Sequence, residues 1–141
     1  MKILLDTNVV LDVLLRRETW LADAERLWEA AEQGHVHAHV CASSITDIFY
    51  ICRKLVGVEA ARGIVRACLD RLEIVGVTRD LLDSAFALGH PDFEDDLQVV
   101  CAVAAGLDAI VTRDTTGFAG SPIAALSPAE LLERLPKDDH A

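Results

Sequence analysis

Four aspartates far apart along the chain, Asp6, Asp47, Asp95 and Asp114, stand where one topology would gather their carboxylates. Asp6 follows the apolar run Ile3-Leu4-Leu5, and Asp114 follows Ile110-Val111-Thr112-Arg113, so each lies at or just beyond the end of a segment that reads as a buried strand. Asp47 and Asp95 fall in the expected first turns of two helices. Carboxylates brought to one point repel, and their pKa values rise unless a cation joins them. Mg²⁺ and similar hard ions take carboxylate oxygens and water as ligands, and an ion so held can activate water against a phosphodiester. Each acid also has a plainer use. Asp6 could cap a helix, Asp47 could pair with Ser44 in a capping box, Asp95 could favour a helix dipole beside Asp92, Glu94 and Asp96, and Asp114 could shape a turn. Those uses do not explain why all four come to the same rim.

The rim follows from the order of elements. Lys2–Leu5, Val36–Ala42, Leu72–Val77, Leu107–Thr112 and Ile123–Leu126 read as strands. Between them lie segments of helical spacing: Thr7–Leu15, a helix through Leu21, Leu27 and Trp28 that stops at Gly34, and a third behind Ser43 and Ser44 as caps. Gly57 closes that third helix, Val58–Leu69 and Arg79–Leu88 follow, and a helix from Phe93 to Ala105 stops at Gly106. Ser127–Leu135 is a capped terminal helix. Strands separated by helices make a parallel sheet covered on both faces, and in open sheets of this kind ligands bind at the carboxyl ends of the strands. The expectation is one three-layer α/β/α domain over residues 1–135 with four or five parallel strands, and a polar tail over 136–141.

With these residues in order, the chain resembles the PIN-domain family. The resemblance is carried by Leu4-Leu5-Asp6-Thr7-Asn8-Val9, an acid early in the third helix, Asp92-Phe93-Glu94-Asp95 leading into Leu97-Gln98, and Val111-Thr112-Arg113-Asp114. It is nearest the VapC-like branch, which contains toxins of toxin–antitoxin systems. The resemblance implies an endoribonuclease dependent on Mg²⁺ or Mn²⁺, with a small antitoxin partner and a homodimeric state. Carried over by position, Asp6, Asp95 and Asp114 hold metal. Asp47 completes the catalytic acids one methylene short of the family's usual Glu, and Asn8, Thr112 and Asp92 orient them. Asp96 stands where the branch often has a small apolar residue, about 100° round the helix from Asp95, and is expected to be solvated or a secondary contact.

The remaining composition narrows the alternatives. Thirteen Lys+Arg against 23 Asp+Glu give a net charge of −10, which excludes a protein that coats nucleic acid by bulk charge but leaves a metal-collecting nuclease open. Arg16-Arg17, Arg53-Lys54 and Arg113 are the candidates for phosphate contact. Cys41, Cys52, Cys68 and Cys101 form no C-x-x-C pair and read as free thiols of a reducing, cytoplasmic compartment; no apolar run reaches the ~20 residues of a membrane span. His35, His37 and His39 alternate on a strand and could bind Zn²⁺, although the opposite face, Val36, Ala38 and Val40, is the apolar one. Two other functions stay open: a phosphatase with Asp6 as nucleophile, which lacks a second acid at Asn8, and a non-catalytic interaction domain, favoured by Asp at position 47.

Overall fold

A computed structural model describes residues 1–136. Five parallel strands form one sheet: β1 (Lys2–Leu5), β2 (His37–Cys41), β3 (Glu73–Val75), β4 (Ala109–Val111) and β5 (Ala124–Leu126), in the order β3-β2-β1-β4-β5. Seven α-helices connect and cover them: α1 (Thr7–Leu14), α2 (Glu18–Glu32), α3 (Ala42–Val56), α4 (Val58–Arg71), α5 (Arg79–Leu88), α6 (Phe93–Ala104) and α7 (Pro128–Arg134). A single 3-10 turn, Thr115–Phe118, follows β4. The expected tail lies, but for Pro136, outside the described residues. Among the described residues no helix is long and apolar enough to cross a membrane.

Strand alternation splits the core into two layers. Ile3 and Leu5 of β1 face one way, into a cluster with Val9, Val10, Leu27, Ile48 and Leu131 from α1, α2, α3 and α7. Leu4 and Ile110 face the other way, against Leu97, Cys101 and Ala102 of α6 and Ala85 of α5. All four cysteines are free and buried, and Trp28 lies in the first cluster with Phe49 packed against it. The three-layer reading therefore holds. Glycines stop helices where expected: Gly57 and Gly89 end α3 and α5 with φ of +89° and +70°, a conformation that only glycine adopts at low cost.

One helix start differs from the expectation. β2 runs into α3 with no loop: Cys41 is the residue before the helix, Ala42 is its first residue, and no side chain caps it. Ser43 and Ser44 are inside the first turn rather than before it, and Ser44 is buried. Asp47 moves to the second turn and forms no capping box with Ser44. By contrast α7 carries the full reciprocal pair, Ser127 Oγ accepting from the Glu130 N–H and Glu130 accepting from the Ser127 N–H, each at 3.1 Å.

β1 sits at the centre of the sheet, flanked by β2 on one side and β4 on the other. The chain winds outward in opposite senses from it, so the carboxyl ends of β1 and β4 border the switch point where α/β sheets open a crevice. The Asp6 N–H donates to the Val111 carbonyl at 2.9 Å, which extends the β1–β4 ladder to the first acid.

Candidate active site

Asp6 occupies the cap position of α1, yet its side chain makes no capping bond. Its two carboxylate oxygens are held from elsewhere. The Gln98 amide nitrogen donates to Oδ1 at 3.0 Å, and the Thr112 hydroxyl donates to Oδ2 at 2.8 Å. Asp6 is 8% exposed, Gln98 2% and Thr112 0%, so this carboxylate is fixed in direction by buried partners from α6 and the end of β4. The Asp114 N–H in turn donates to the Thr112 hydroxyl oxygen at 3.1 Å, which ties the second strand-end acid to the first.

A cleft of about 390 Å³ opens over this point, walled by Asp6, Asn8, Asp47, Glu94, Asp95 and Asp114, with Asp92, Tyr50 and Phe118 also contributing. All four acids singled out from the sequence thus reach one cavity. Asp92 is the cap of α6, accepting from the Asp95 N–H at 3.1 Å, and so fixes the helix end that presents Asp95. Burial and the charges of Asp92, Asp6, Glu94 and Asp114 push the Asp95 carboxyl up from 3.8 to about 6. Glu94 is raised as well, first by burial and then by Asp47, Asp6 and Asp92, with the Thr7 hydroxyl acting in the opposite sense. Asp114 goes the other way: the Thr116 hydroxyl at 2.6 Å and the Gly117 N–H at 3.3 Å favour its charged form.

These carboxylates repel one another across a small space, which is the electrostatic signature of a place for positive charge. The donors are oxygens only, the set that hard divalent ions take. Gly117 keeps the space open: a β-carbon there would stand 3.1 Å from Asp95 Oδ2 and 3.3 Å from Asp114 Oδ2. Among the described residues no three His, Cys, Asp or Glu side chains already close around one point as a finished ligand set. The residues fit a divalent cation by donor chemistry and by the room left between them.

Other expectations are corrected. Arg113 does not reach toward a phosphate. Its guanidinium lies 3.7 Å from the Trp20 ring centroid, and Nε is 2.9 Å from Oδ2 of Asp12, an acid only 1% exposed. The pair is close but misaligned for a hydrogen bond. Arg17 adds a second cation 3.6 Å from the same carboxylate, and burial nonetheless raises the Asp12 carboxyl. Arg53 stays exposed at the end of α3, 5.1 Å over the ring of Tyr50, which lines the cleft; neither Arg53 nor exposed Lys54 lines it. Asp96 is buried, at 4% exposure, rather than solvated, and both its oxygens bond His90. Asn8 lines the cleft, but among the described residues it donates to none of the acids; the orienting task falls to Gln98. That residue was legible in principle, being a lone polar side chain in the apolar run Leu97–Ala105 and one helical turn from Asp95. His39 Nδ1 lies 2.9 Å and 3.2 Å from the His37 and Ile3 carbonyls, while His35 and His37 are exposed.

Sheet and cleft together define an α/β protein with an acid-lined crevice at its switch point. The sequence matches the model of the PIN domain over residues 2–116, and the chain belongs to the PIN-domain family. Its fold is similar to that of VapBC2 from Rickettsia felis bound to a promoter DNA fragment (TM-score 0.69, 17% identity, 90% of this chain and 98% of that one). It is likewise similar to VapC20 of Mycobacterium tuberculosis, a toxin that cleaves the sarcin-ricin loop (TM-score 0.69, 17% identity, 83% and 93%). A toxin–antitoxin complex from Klebsiella pneumoniae compares at TM-score 0.66 and 22% identity over 89% and 96% of the two chains. At these identities the likeness is one of fold. No curated protein matches the sequence.

Proposed function

We propose that this chain is a metal-dependent endoribonuclease and the toxin half of a toxin–antitoxin pair. One observation carries the reading: Asp6, Asp47, Asp95 and Asp114, drawn from four segments, wall one cleft in which Asp6 is pinned by Gln98 and Thr112. A bound Mg²⁺ or Mn²⁺ would supply positive charge to a phosphodiester and lower the pKa of water. Asp6, Asp95 and Asp114 would hold it. Asp47 faces the same space from α3 and completes the set at longer reach. Gln98 and Thr112 keep the Asp6 lone pairs aimed at the cleft, Asp92 fixes the start of α6, and no side-chain nucleophile is required.

The partners and setting follow as part of the same reading. Toxin–antitoxin complexes stand among the similar folds, which supports a small antitoxin partner for this chain. A homodimer in the cytoplasm is the proposed state. Tyr50, Ile51, Leu55, Val56 and Val58 leave apolar surface along the α3–α4 junction, where such pairing would cover it. A phosphatase with Asp6 as nucleophile loses support because Asn8 stands on the cleft wall where its second acid would be needed.

The test is cleavage of a mixed RNA pool by the purified chain with Mg²⁺ or Mn²⁺, beside Asp6→Asn and Asp95→Asn. Cleavage by the wild type, lost in both variants, supports the proposal. Cleavage that survives both variants, or none by the wild type with either ion, overturns it; the second outcome favours the interaction-domain reading.

A further inference from the structure

Asp96 neighbours Asp95 in sequence but turns away from the cleft and spends its whole carboxylate on one residue. Oδ2 accepts from the His90 backbone N–H at 3.0 Å, and Oδ1 lies 2.7 Å from His90 Nδ1. The Asp96 side chain is 5% exposed, while that of His90 is 64% exposed. A buried carboxylate is costly to keep unless its acceptors are filled, and here they are filled by both ends of a single histidine. Gripping backbone and ring together fixes where the ring stands. An ionised carboxylate can only accept, so Nδ1–H donates to Asp96 and Nε2 is left as the ring's other nitrogen. In the imidazolium form, which contact with an anion requires, Nε2–H is a donor too.

The place it is presented to is a groove of about 750 Å³ that continues the acid cleft. Asp92, Asp95, Asp114 and Phe118 wall both cavities, and the groove extends from there along α6 toward the loop around Gly120. Its floor is largely apolar, with Val99, Val100 and Val103 of α6. Among the described residues lining either cavity, His90 is the one side chain able to carry positive charge. Arg53, stacked over Tyr50, lines neither cavity, so along the groove itself a polyanionic strand meets no other cationic side chain among the described residues.

We propose that His90, set by buried Asp96, is a substrate-contact residue whose Nε2 meets a backbone phosphate oxygen of the RNA strand flanking the acid cleft. The proposal rests on the ribonuclease reading for its substrate class. It assigns a use to the Asp96 carboxylate, which the acid cleft does not employ. The plainer account is a clamp that merely holds the α5–α6 corner. A substitution separates the two. In His90→Asn the amide N–H takes the place of Nδ1–H against Asp96, so a clamp survives, but nothing stands in the place of Nε2.

The experiment compares wild type with His90→Asn on a short RNA oligonucleotide with Mn²⁺. It measures kcat and KM, and the thermal midpoint of each protein. The contact predicts KM raised about ten- to hundredfold, as for loss of a charge-assisted hydrogen bond, with kcat within about twofold and an unchanged midpoint. An unchanged KM overturns it. A second readout does not depend on turnover: the ring ¹⁵N resonances of His90, assigned by their absence in His90→Asn, followed while the oligonucleotide is added with Ca²⁺ in place of Mn²⁺. Displacement of the Nε2 resonance supports the contact even if the wild type cleaves nothing, in which case only the nuclease reading fails. A still resonance overturns the contact even if cleavage is brisk.

Discussion

Replacing Asp95 by Asn should make the metal-free protein more stable while abolishing cleavage, an inverse pairing that a merely structural acid would not give. The carboxyl is carried from 3.8 to about 6 by burial and by the surrounding acids. At ~1.36 kcal/mol per pH unit, ionising it in the fold costs at most about 3 kcal/mol more than in the unfolded chain. Asp95 is only partly buried, so solvent screening reduces this to about 1.5–2 kcal/mol. Asn also forfeits the favourable charge at the start of α6, about 0.3–1 kcal/mol. The net gain is about 1 kcal/mol at pH 7.5, or about 0.5 M in the urea midpoint for a slope of about 2 kcal/mol/M. The direction with pH is fixed. Asp95 stays protonated in the fold where the unfolded chain has already ionised, so its contribution to stability is full below 3.8 and lost as pH rises through about 6. Glu94 and Asp12, both raised, act in the same direction; Asp114, lowered, stabilises above its ordinary value and loses that effect only under more acid conditions. Urea titrations in EDTA at pH 4 and pH 7.5 provide the measurement, and saturating Mn²⁺ should reverse the ranking at pH 7.5. A variant destabilised equally at both pH values, or a wild type whose midpoint ignores both pH and Mn²⁺, would refute the reasoning.

Three further outcomes are expected. Gly117→Ala brings a methyl group to 3.1 Å from Asp95 Oδ2 and 3.3 Å from Asp114 Oδ2; Mn²⁺ affinity by calorimetry should fall about tenfold while the urea midpoint barely moves, because no left-handed backbone is involved. Thr112→Val removes the donor to Asp6 Oδ2 at nearly constant shape, and cleavage should drop about 10–100-fold; full activity would mean that Gln98 alone orients Asp6. Arg113→Ala strips buried Asp12 of its nearest cation, and stability should fall by about 3 kcal/mol. That loss should be partly recovered in Arg113→Ala combined with Asp12→Asn, and a loss indifferent to the second change would point to the Trp20 stacking instead.

The element order was legible because apolar spacing and punctuation agreed: Gly57, Gly89 and Gly106 end helices, and the strands Ile3-Leu4-Leu5 and Ala109-Ile110-Val111 are apolar on both faces. Asp6 and Asp114 could be placed at one rim because parallel topology leaves few options for strand ends. What was not legible involved long-range or single-turn detail. Nothing local announces that Arg113 turns back to Asp12, 101 positions earlier, instead of facing the cleft. The absence of a loop between β2 and α3 shifted Ser43, Ser44 and Asp47 deeper into the helix than their types suggested. Asp96 looked like surface because its neighbours are acids, whereas the corner at Gly89 brings His90 over it.

The central place of β1 has a consequence for the order of events during synthesis. Asp6 leaves the ribosome well before its holders Gln98 and Thr112, which lie 92 and 106 positions behind it. A nascent chain that has emerged through β3 owns the first acid but neither side chain that aims it, and β1 still lacks the neighbour on its other flank. Whatever the cleft does must therefore await translation through the end of β4 and Asp114.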